Sequence, residues 1–283
     1  MLMAAKGRRT LLCELDSQQP ALKPIFEVDA GLAPVQVWPD LAVSNLVWPD
    51  VLRAYLRTAL PGSRLVASIL DNAMVRSFLD FTPGSQELVQ LSVLGDQLDA
   101  YDVVVVDMPA SGHAFSFLDI TRSALGLFRA GPVRRRAEEL RAMLQEVGTR
   151  VVLVALPEEM VVNETLETIG RLREAELLGA DPIVILNRAT PPSLSEEERA
   201  LLARLSKADL DADAEEFVAT GRWERSLEDA AVIAERRLTE AFDGPPIIIP
   251  PQGAGGNPQA VARRVAVALG RMMGVTKRDL PWT

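Results

Sequence analysis

Residues 101–114, with the sequence YDVVVVDMPASGHA, constrain the fold more than any other stretch of the chain. Four consecutive valines between polar and turn-forming residues predict a short strand that is buried on both faces, as in a parallel sheet covered by helices. Asp107 ends this strand, and open α/β sheets bind ligands outside the carboxyl ends of their strands. A carboxylate before a glycine turn can hold hydrated Mg²⁺ and bring backbone N–H groups to a phosphate. An ordinary strand whose aspartate caps the next helix explains the same residues.

The rest of the chain alternates predicted strands and helices. Strands are expected at 9–15, 35–38, 150–156, 182–186 and 246–249. Helical patterns include a broken insertion at about 49–98, an apolar helix at 114–130 and a charged helical segment at about 195–242. Because helices separate the strands, we expect one elaborated α/β domain over residues 1–283, with a doubly wound, mostly parallel sheet flanked by helices.

Residue spacing also predicts helix ends and buried helix faces. Met1 to Lys6 followed by Gly7 is typical of the last turn of a helix, and Asn257 with Pro258 is typical of a helix start. The predicted inward face of the segment at 195–242 comprises Leu227, Ala231, Ala234, Leu238 and Ala241. The predicted inward face of the last helix comprises Val261, Val265, Leu269 and Met272.

Composition excludes several classes of protein. The 283 residues carry a net charge of −9, which disfavours general binding to nucleic acids or to anionic membranes. The single cysteine, Cys13, rules out a disulfide or a cysteine-only zinc site within the chain, and it suits a reducing cytoplasm. No apolar run reaches the roughly 20 residues that span a bilayer, so we expect a soluble cytoplasmic protein with no integral membrane segment.

Several segments, in order along the chain, resemble one ATPase family. This family includes the ArsA-type arsenical pump-driving ATPases and the targeting ATPases for tail-anchored proteins, within the MinD/ParA-like deviant P-loop group. Its switch II reads roughly Y-D-x-[IV]-V-x-D-x-x-P-T-G-H-T, and residues 101–114 match it with Asp107, Gly112 and His113 in register. LLCELD at 11–16 resembles switch I, LNR at 186–188 resembles the adenine-reading strand, and PEEM at 157–160 and PIIIPPQ at 246–252 resemble two further segments.

The resemblance implies a site for the phosphates of ATP and for Mg²⁺. Asp107 would bind Mg²⁺ through water, and the backbone around Gly112 would sense the γ-phosphate, a contact that favours a residue without a Cβ. Asp16 would orient or activate the attacking water. His113, the only histidine, is read as a structural or switch residue of the motif in preference to a general base.

The resemblance also implies an adenine pocket. Asn187, followed by Arg188 in the motif, would hydrogen-bond to adenine through an amide that both donates and accepts. Pro250, Pro251 and Gln252 would border the same pocket. The basic run at 134–136 reads either as a phosphate clamp or, more simply, as a solvated helix start.

The sequence departs from this family at its defining element. No stretch of the 283 residues has the Walker A form G-K-G-G-V-G-K-T. We expect the missing part to be a strand, a phosphate-binding loop and most of a helix, roughly 25 to 30 residues. Its loss would leave two strands with unpaired edges. Without that loop and its lysine, the chain as written is not expected to hydrolyse ATP. Two explanations stay open: a start at an internal methionine, or a genuine loop-less relative.

Two functions follow from the resemblance. The first is a Mg-dependent ATPase that forms a homodimer, or a heterodimer with a related ATPase, and switches a client or partner protein. The second is a non-catalytic pseudo-ATPase subunit that binds an active paralogue. Arsenite transport and tail-anchored targeting both fit poorly, because Cys13 alone supplies neither a metalloid site nor a Cys-x-x-Cys zinc clasp. The apolar helix at 114–130 is either part of a client groove or, more simply, core.

Overall fold

The computed structural model describes residues 1–15, 20–59, 84–109, 111–242, 244–253, 255–272 and 274–280. Asp16 and the middle of the predicted helical insertion, residues 60–83, lie outside the described residues. The chain divides into two compact units. Unit 1 comprises Met1–Thr149, Ala175–Ala180 and Ala254–Thr283, and unit 2 comprises Arg150–Glu174 and Asp181–Gly253. The expectation of a single ATPase-like domain stays a prediction.

Unit 1 contains a four-stranded, mostly parallel sheet. Its strands are β1 (Thr10–Leu15), β2 (Val35–Trp38), β3 (Leu41–Leu46) and β4 (Val103–Asp107). The strand order is β2-β3-β1-β4, with β1 parallel to both β3 and β4. Strand β2 runs antiparallel to β3. This architecture confirms the predicted α/β class, with mostly parallel sheets flanked by helices.

Strand β3 is a strand that the sequence pattern did not predict. It follows β2 through a tight turn at Pro39 and Asp40, where Asp40 adopts a left-handed φ of 60°. The polar residues Ser44 and Asn45 interrupt its apolar run, yet both are buried. The expectation that helices separate all strands is therefore wrong at this hairpin, because buried polar residues hide a strand from a reading of hydrophobic pattern.

Helices surround the sheet of unit 1. Its core includes buried residues of β1 and β3 together with helix residues such as Val51, Leu91, Phe117 and Leu140. Gly7 has a φ of 71° just after the first helix, and the Asn257 side chain accepts a 2.9 Å hydrogen bond from the Ala260 N–H, so both predicted helix ends are confirmed. The helices are α1 (Leu2–Ala5), α2 (Leu22–Phe26), α3 (Trp48–Ala59), α4 (Ser85–Gly95), α5 (Ser111–Leu127), α6 (Pro132–Gln145) and α10 (Pro258–Met272), with 3₁₀ turns at Leu98–Ala100 and Lys277–Asp279.

Strand β4 is less buried than its four valines predict. It pairs with β1 on one side, and no second strand pairs with it within the described ranges. Val105 is 46% exposed, so the expectation of burial on both faces is wrong for this strand. The cause is its position at the edge of the sheet, where one row of backbone hydrogen-bonding groups has no strand partner among those residues.

Unit 2 contains a three-stranded parallel sheet with three helices. Strands β5 (Val152–Ala155), β6 (Ile183–Asn187) and β7 (Ile247–Ile249) lie in that order. The helices are α7 (Glu159–Glu174), α8 (Glu196–Leu205) and α9 (Ala212–Ala241). Strand β5 pairs only with β6 in the part of the chain that the structure describes. Val152 and Val154 of β5 are exposed.

Two predicted helix faces differ in detail from the structure. In α9, Ala231, Ala234 and Leu238 are buried as expected, but Leu227 is exposed and its neighbour Glu228 is fully buried. In α10, Val261 is exposed and Ala266 is buried. None of the helices within the described ranges combines the length and apolarity needed to cross a membrane.

Candidate functional site

The carboxyl edge of the unit 1 sheet carries Asp107, the residue on which the sequence interpretation depends. Asp107 is the last residue of β4 and lies opposite Glu14 of β1 in the parallel register. Helix α5 begins at Ser111, so Gly112 and His113 lie in its first turn and not in a longer loop. Asp107, Gly112 and His113 are all exposed. The first turn of a helix offers unpaired N–H groups, so this arrangement places a carboxylate just before a region that favours anions.

Asp107 has the chemistry of a cation ligand. Although its side chain reaches solvent, the protein atoms around it remove part of the hydration of the carboxylate, and this desolvation raises the pKa of Asp107. A carboxylate oxygen is the donor that Mg²⁺ prefers, and a bound cation would compensate for the lost hydration. The residues present therefore fit a magnesium ion held through Asp107. Among the described residues, no group of three or more His, Cys, Asp or Glu side chains is placed to bind a metal ion.

Two polar residues near Asp107 were missed by the reading of the sequence. Glu14 and Asn45 lie opposite each other at the carboxyl ends of β1 and β3. Both are almost fully buried, with exposures of 3% and 4%. The signal that could have found Glu14 is a charged residue inside the apolar strand LLCEL, because a buried glutamate is rare without a partner.

The carboxyl edge of the unit 2 sheet carries Asn187 and Arg188. Asn187 ends β6, is half-buried, and lies opposite Ile249 of β7. Its side-chain oxygen accepts a 3.0 Å hydrogen bond from the N–H of Arg188. Arg188 has a left-handed φ of 57°, which only a minority of residues other than glycine adopt. The chain thus turns sharply at the end of β6 and holds the Asn187 amide there.

Residues 250–252 lie at the same edge of that sheet. Pro250 and Pro251 are exposed and follow β7 directly, and the Gln252 side chain donates a 2.7 Å hydrogen bond to the carbonyl oxygen of Pro250. The Ala189 N–H donates to the Ile249 carbonyl at 3.1 Å, which joins the two loops that follow β6 and β7. The structure thus brings Asn187 close to the segment that begins at Pro250. Asp107 belongs to unit 1, and a shared nucleotide for the two clusters stays a prediction.

The basic run at 134–136 has structural partners. Arg134 forms an ion pair with Glu138 at 2.8 Å and donates to the carbonyl oxygens of Leu125 and Phe128. Arg136 forms an ion pair with Asp96 at 2.6 Å and also contacts the Ser92 carbonyl oxygen. These contacts tie α6 to α4 and α5, which favours a structural role over a phosphate clamp.

The apolar helix α5 packs largely into unit 1. Phe115, Phe117 and Leu118 are buried, whereas Leu127 and Phe128 at its end are exposed. The buried majority favours the core interpretation over a client groove for this helix. Cys13 is fully buried on β1, as its place in the predicted strand implies, and its sulfur lies 3.1 Å from the Ser44 hydroxyl.

The chain is similar to mycobacterial proteins that are named ATPases. It is 29% identical to ATPase BagA of Mycobacterium tuberculosis strain H37Rv over 235 residues, which covers 75% of this chain and 65% of BagA. A protein of Mycobacterium bovis and one of M. tuberculosis strain CDC 1551, both named as ATPases, match with the same identity and coverage. The matched part of the chain thus spans slightly less than two thirds of the length of these relatives. No protein family model matches the chain.

Proposed function

We propose that this protein is part of a Mg-dependent ATPase related to the ArsA-type family, which couples ATP binding and hydrolysis to a conformational switch on a client or partner protein. The observation that carries the proposal is Asp107, a partly desolvated carboxylate at the carboxyl end of a parallel strand, directly before helix α5. Similarity to proteins named ATPases over 75% of the chain supports the same function.

The proposal assigns the binding of magnesium, water, phosphate and adenine to different residues. Bound Mg²⁺ would neutralise charge on the phosphates, and Asp107 would hold it through water. Asp16 would orient the attacking water, and Gly112 would bring the first turn of α5 to the γ-phosphate. At the other edge, the Asn187 amide would select adenine, with Arg188 and residues 250–252 at the border of the pocket.

The proposal requires a phosphate-binding loop, and the 283 residues contain no Walker A form. One edge of β4 pairs with no strand among the described residues, which supports this part of the proposal, because a parallel strand with an exposed valine, Val105, is suited to a further strand alongside it. The coding sequence upstream of Met1 is the first test. An in-frame G-K-G-G-x-G-K-[ST] would support the proposal, and an in-frame stop a few codons upstream would contradict it.

Enzyme kinetics provide the second test. A protein that carries the loop is expected to hydrolyse ATP only with Mg²⁺, and Asp16→Asn and Asp107→Asn should each lower turnover by about 100-fold. Asp99→Asn is the matched control, because Asp99 is exposed and lies just before the same strand. Wild-type turnover in Asp107→Asn would refute the assignment of this residue.

The alternative is a non-catalytic subunit that pairs with an active paralogue, a function that requires no Walker A loop in this chain. Calorimetry distinguishes the two functions. An absence of ATP binding by the purified chain, together with co-purification of a loop-containing relative, would favour the binding subunit. Tight ATP binding by the chain alone would count against it.

A further inference from the structure

A small cavity lies at the carboxyl ends of β1 and β3, and no task in the proposed ATPase involves it. Its volume is about 40 Å³. It is lined, within the described ranges, by two buried polar side chains and by residues of α2 and the loop that follows it: Glu14, Asn45, Leu22, Lys23, Asp29 and Ala30. At roughly 10–15 Å³ for each water-sized group, a cavity of this size has room for about three of them.

Two buried oxygen atoms in this cavity have no hydrogen-bond partner within the described ranges. They are Oε2 of Glu14 and Oδ1 of Asn45, on side chains that are 3% and 4% exposed. The other Glu14 oxygen, Oε1, accepts a 2.6 Å hydrogen bond from the Ala21 N–H. Buried acceptors without partners are rare and costly, so the cavity lacks a donor or a cation.

The charge of Glu14 also lacks a counter-charge. The nearest lysine in the lining, Lys23, forms its ion pair with Asp29 at 2.6 Å. No arginine or lysine in the described part of the chain forms an ion pair with Glu14. A water molecule could donate to both unpartnered oxygens, but it would leave the carboxylate charge uncompensated in a buried setting. A cation satisfies both the oxygens and the charge.

We propose that Glu14 and Asn45 bind a hard divalent cation, Mg²⁺ or Ca²⁺, in the absence of nucleotide. A carboxylate oxygen and an amide carbonyl oxygen are the donor types that such cations prefer, and water molecules complete the coordination. The bound cation links the carboxyl ends of β1 and β3 through these two ligands. This site is distinct from a magnesium ion held by Asp107, which does not line the cavity.

The test is a titration of the metal-stripped, nucleotide-free chain with Mn²⁺, in which electron paramagnetic resonance measures the free ion. One saturable site per chain is expected, and competition by Mg²⁺ and by Ca²⁺ identifies the preferred cation. Glu14→Gln should weaken Mn²⁺ binding by about tenfold or more, and Asn45→Asp should strengthen it, because the charge of the ligands sets the affinity. The exposed control Glu224→Gln should leave the affinity unchanged.

Several results would overturn the proposal. One is a wild-type chain without saturable Mn²⁺ binding, and another is a Glu14→Gln variant with wild-type affinity. Weaker binding in Asn45→Asp would show that the two side chains share a proton or a water molecule. Thermal unfolding gives a second measurement, since the cation should raise the Tm of the wild type but not of Glu14→Gln. Because nucleotide is absent throughout, a failure here leaves the proposed ATPase untouched.

Discussion

The Glu228 carboxylate, fully buried on α9, accepts a 2.6 Å hydrogen bond from the Arg199 guanidinium on α8. The Ser193 N–H and hydroxyl also donate to it, at 2.8 and 2.6 Å. We expect Glu228→Ala to lower the free energy of unfolding by about 3 kcal/mol, because its buried donors lose their acceptor. Urea unfolding measures this loss. The control is Asp229→Asn, which breaks the neighbouring, half-exposed ion pair and should cost less than about 1 kcal/mol. Equal losses of unfolding free energy in the two variants would show that the buried hydrogen bonds of Glu228 do not stabilise the protein more than the half-exposed ion pair.

The same carboxylate predicts a pH dependence of stability. Desolvation acts to raise the pKa of Glu228, but the hydrogen bonds from Ser193 and Leu194 and the charge of Arg199 outweigh it, so the pKa is lowered. Its stabilisation is present above the pKa of an unfolded glutamate, about 4.3, and is lost as the pH falls through the lower folded pKa. The stability difference between wild type and Glu228→Gln should therefore shrink below about pH 4. A constant difference between pH 3 and pH 7 would contradict this prediction.

Gly112 and Gly126 provide a matched pair within α5. A Cβ added at either position meets no heavy atom within 4 Å. Gly126→Ala should raise the free energy of unfolding by at most about 0.5–1 kcal/mol, because alanine loses less backbone entropy than glycine in the last turn of the helix. Gly112→Ala should fold at least as stably as the wild type but lose Mg-dependent ATP turnover in a loop-containing protein. Unchanged turnover in Gly112→Ala would show that no phosphate approaches this backbone.

Substitutions of Arg136 and Arg135 distinguish a structural role of the basic run at 134–136 from a role in phosphate binding. Arg136 ties α6 to α4 through Asp96, whereas Arg135 is exposed. Arg136→Ala should lower the free energy of unfolding by about 1–2 kcal/mol, and Arg135→Ala should leave it unchanged. Neither substitution should alter the KM for ATP. A raised KM for ATP in Arg135→Ala alone would support the interpretation that the basic run at 134–136 binds phosphate.

Cys13 should be inert in the native protein. Burial raises the pKa of its thiol to about 11, and the Ser44 hydrogen bond offsets this only in part. Because the thiolate is the reactive form, Ellman's reagent at pH 8 should modify the native chain negligibly and the urea-unfolded chain fully. Rapid modification of the native chain would show that β1 is accessible.

The sequence was most informative where local chemistry decides the structure. The strand that ends at Asp107 and the helix start at Asn257 follow from β-branched runs and capping residues, which act over a few neighbours. The proximity of Asn187 to residues 250–252 also follows, since the carboxyl ends of neighbouring parallel strands share one edge of the sheet.

Buried polar residues account for most of what the sequence could not predict. Ser44 and Asn45 hide β3, and Glu228 takes the buried place that periodicity assigned to Leu227. Each of these polar side chains lies opposite or beside a partner far away in sequence, such as Glu14 for Asn45 and Arg199 for Glu228. A hydrophobic pattern predicts which apolar side chains are buried, but it does not predict which polar side chains are buried against residues distant in sequence.

Helix α9 has a mechanical consequence for unit 2. Its 30 residues form a continuous rod of about 45 Å that packs against α8. Its second half adds Ala231, Ala234 and Leu238 to the core beneath β6. A rotation of about 5° about the C-terminal end of α9 would displace its N-terminal end by about 4 Å, given this length. That rotation would move the exposed Phe217, near the N-terminal end of α9, farther than the residues that pack beneath β6.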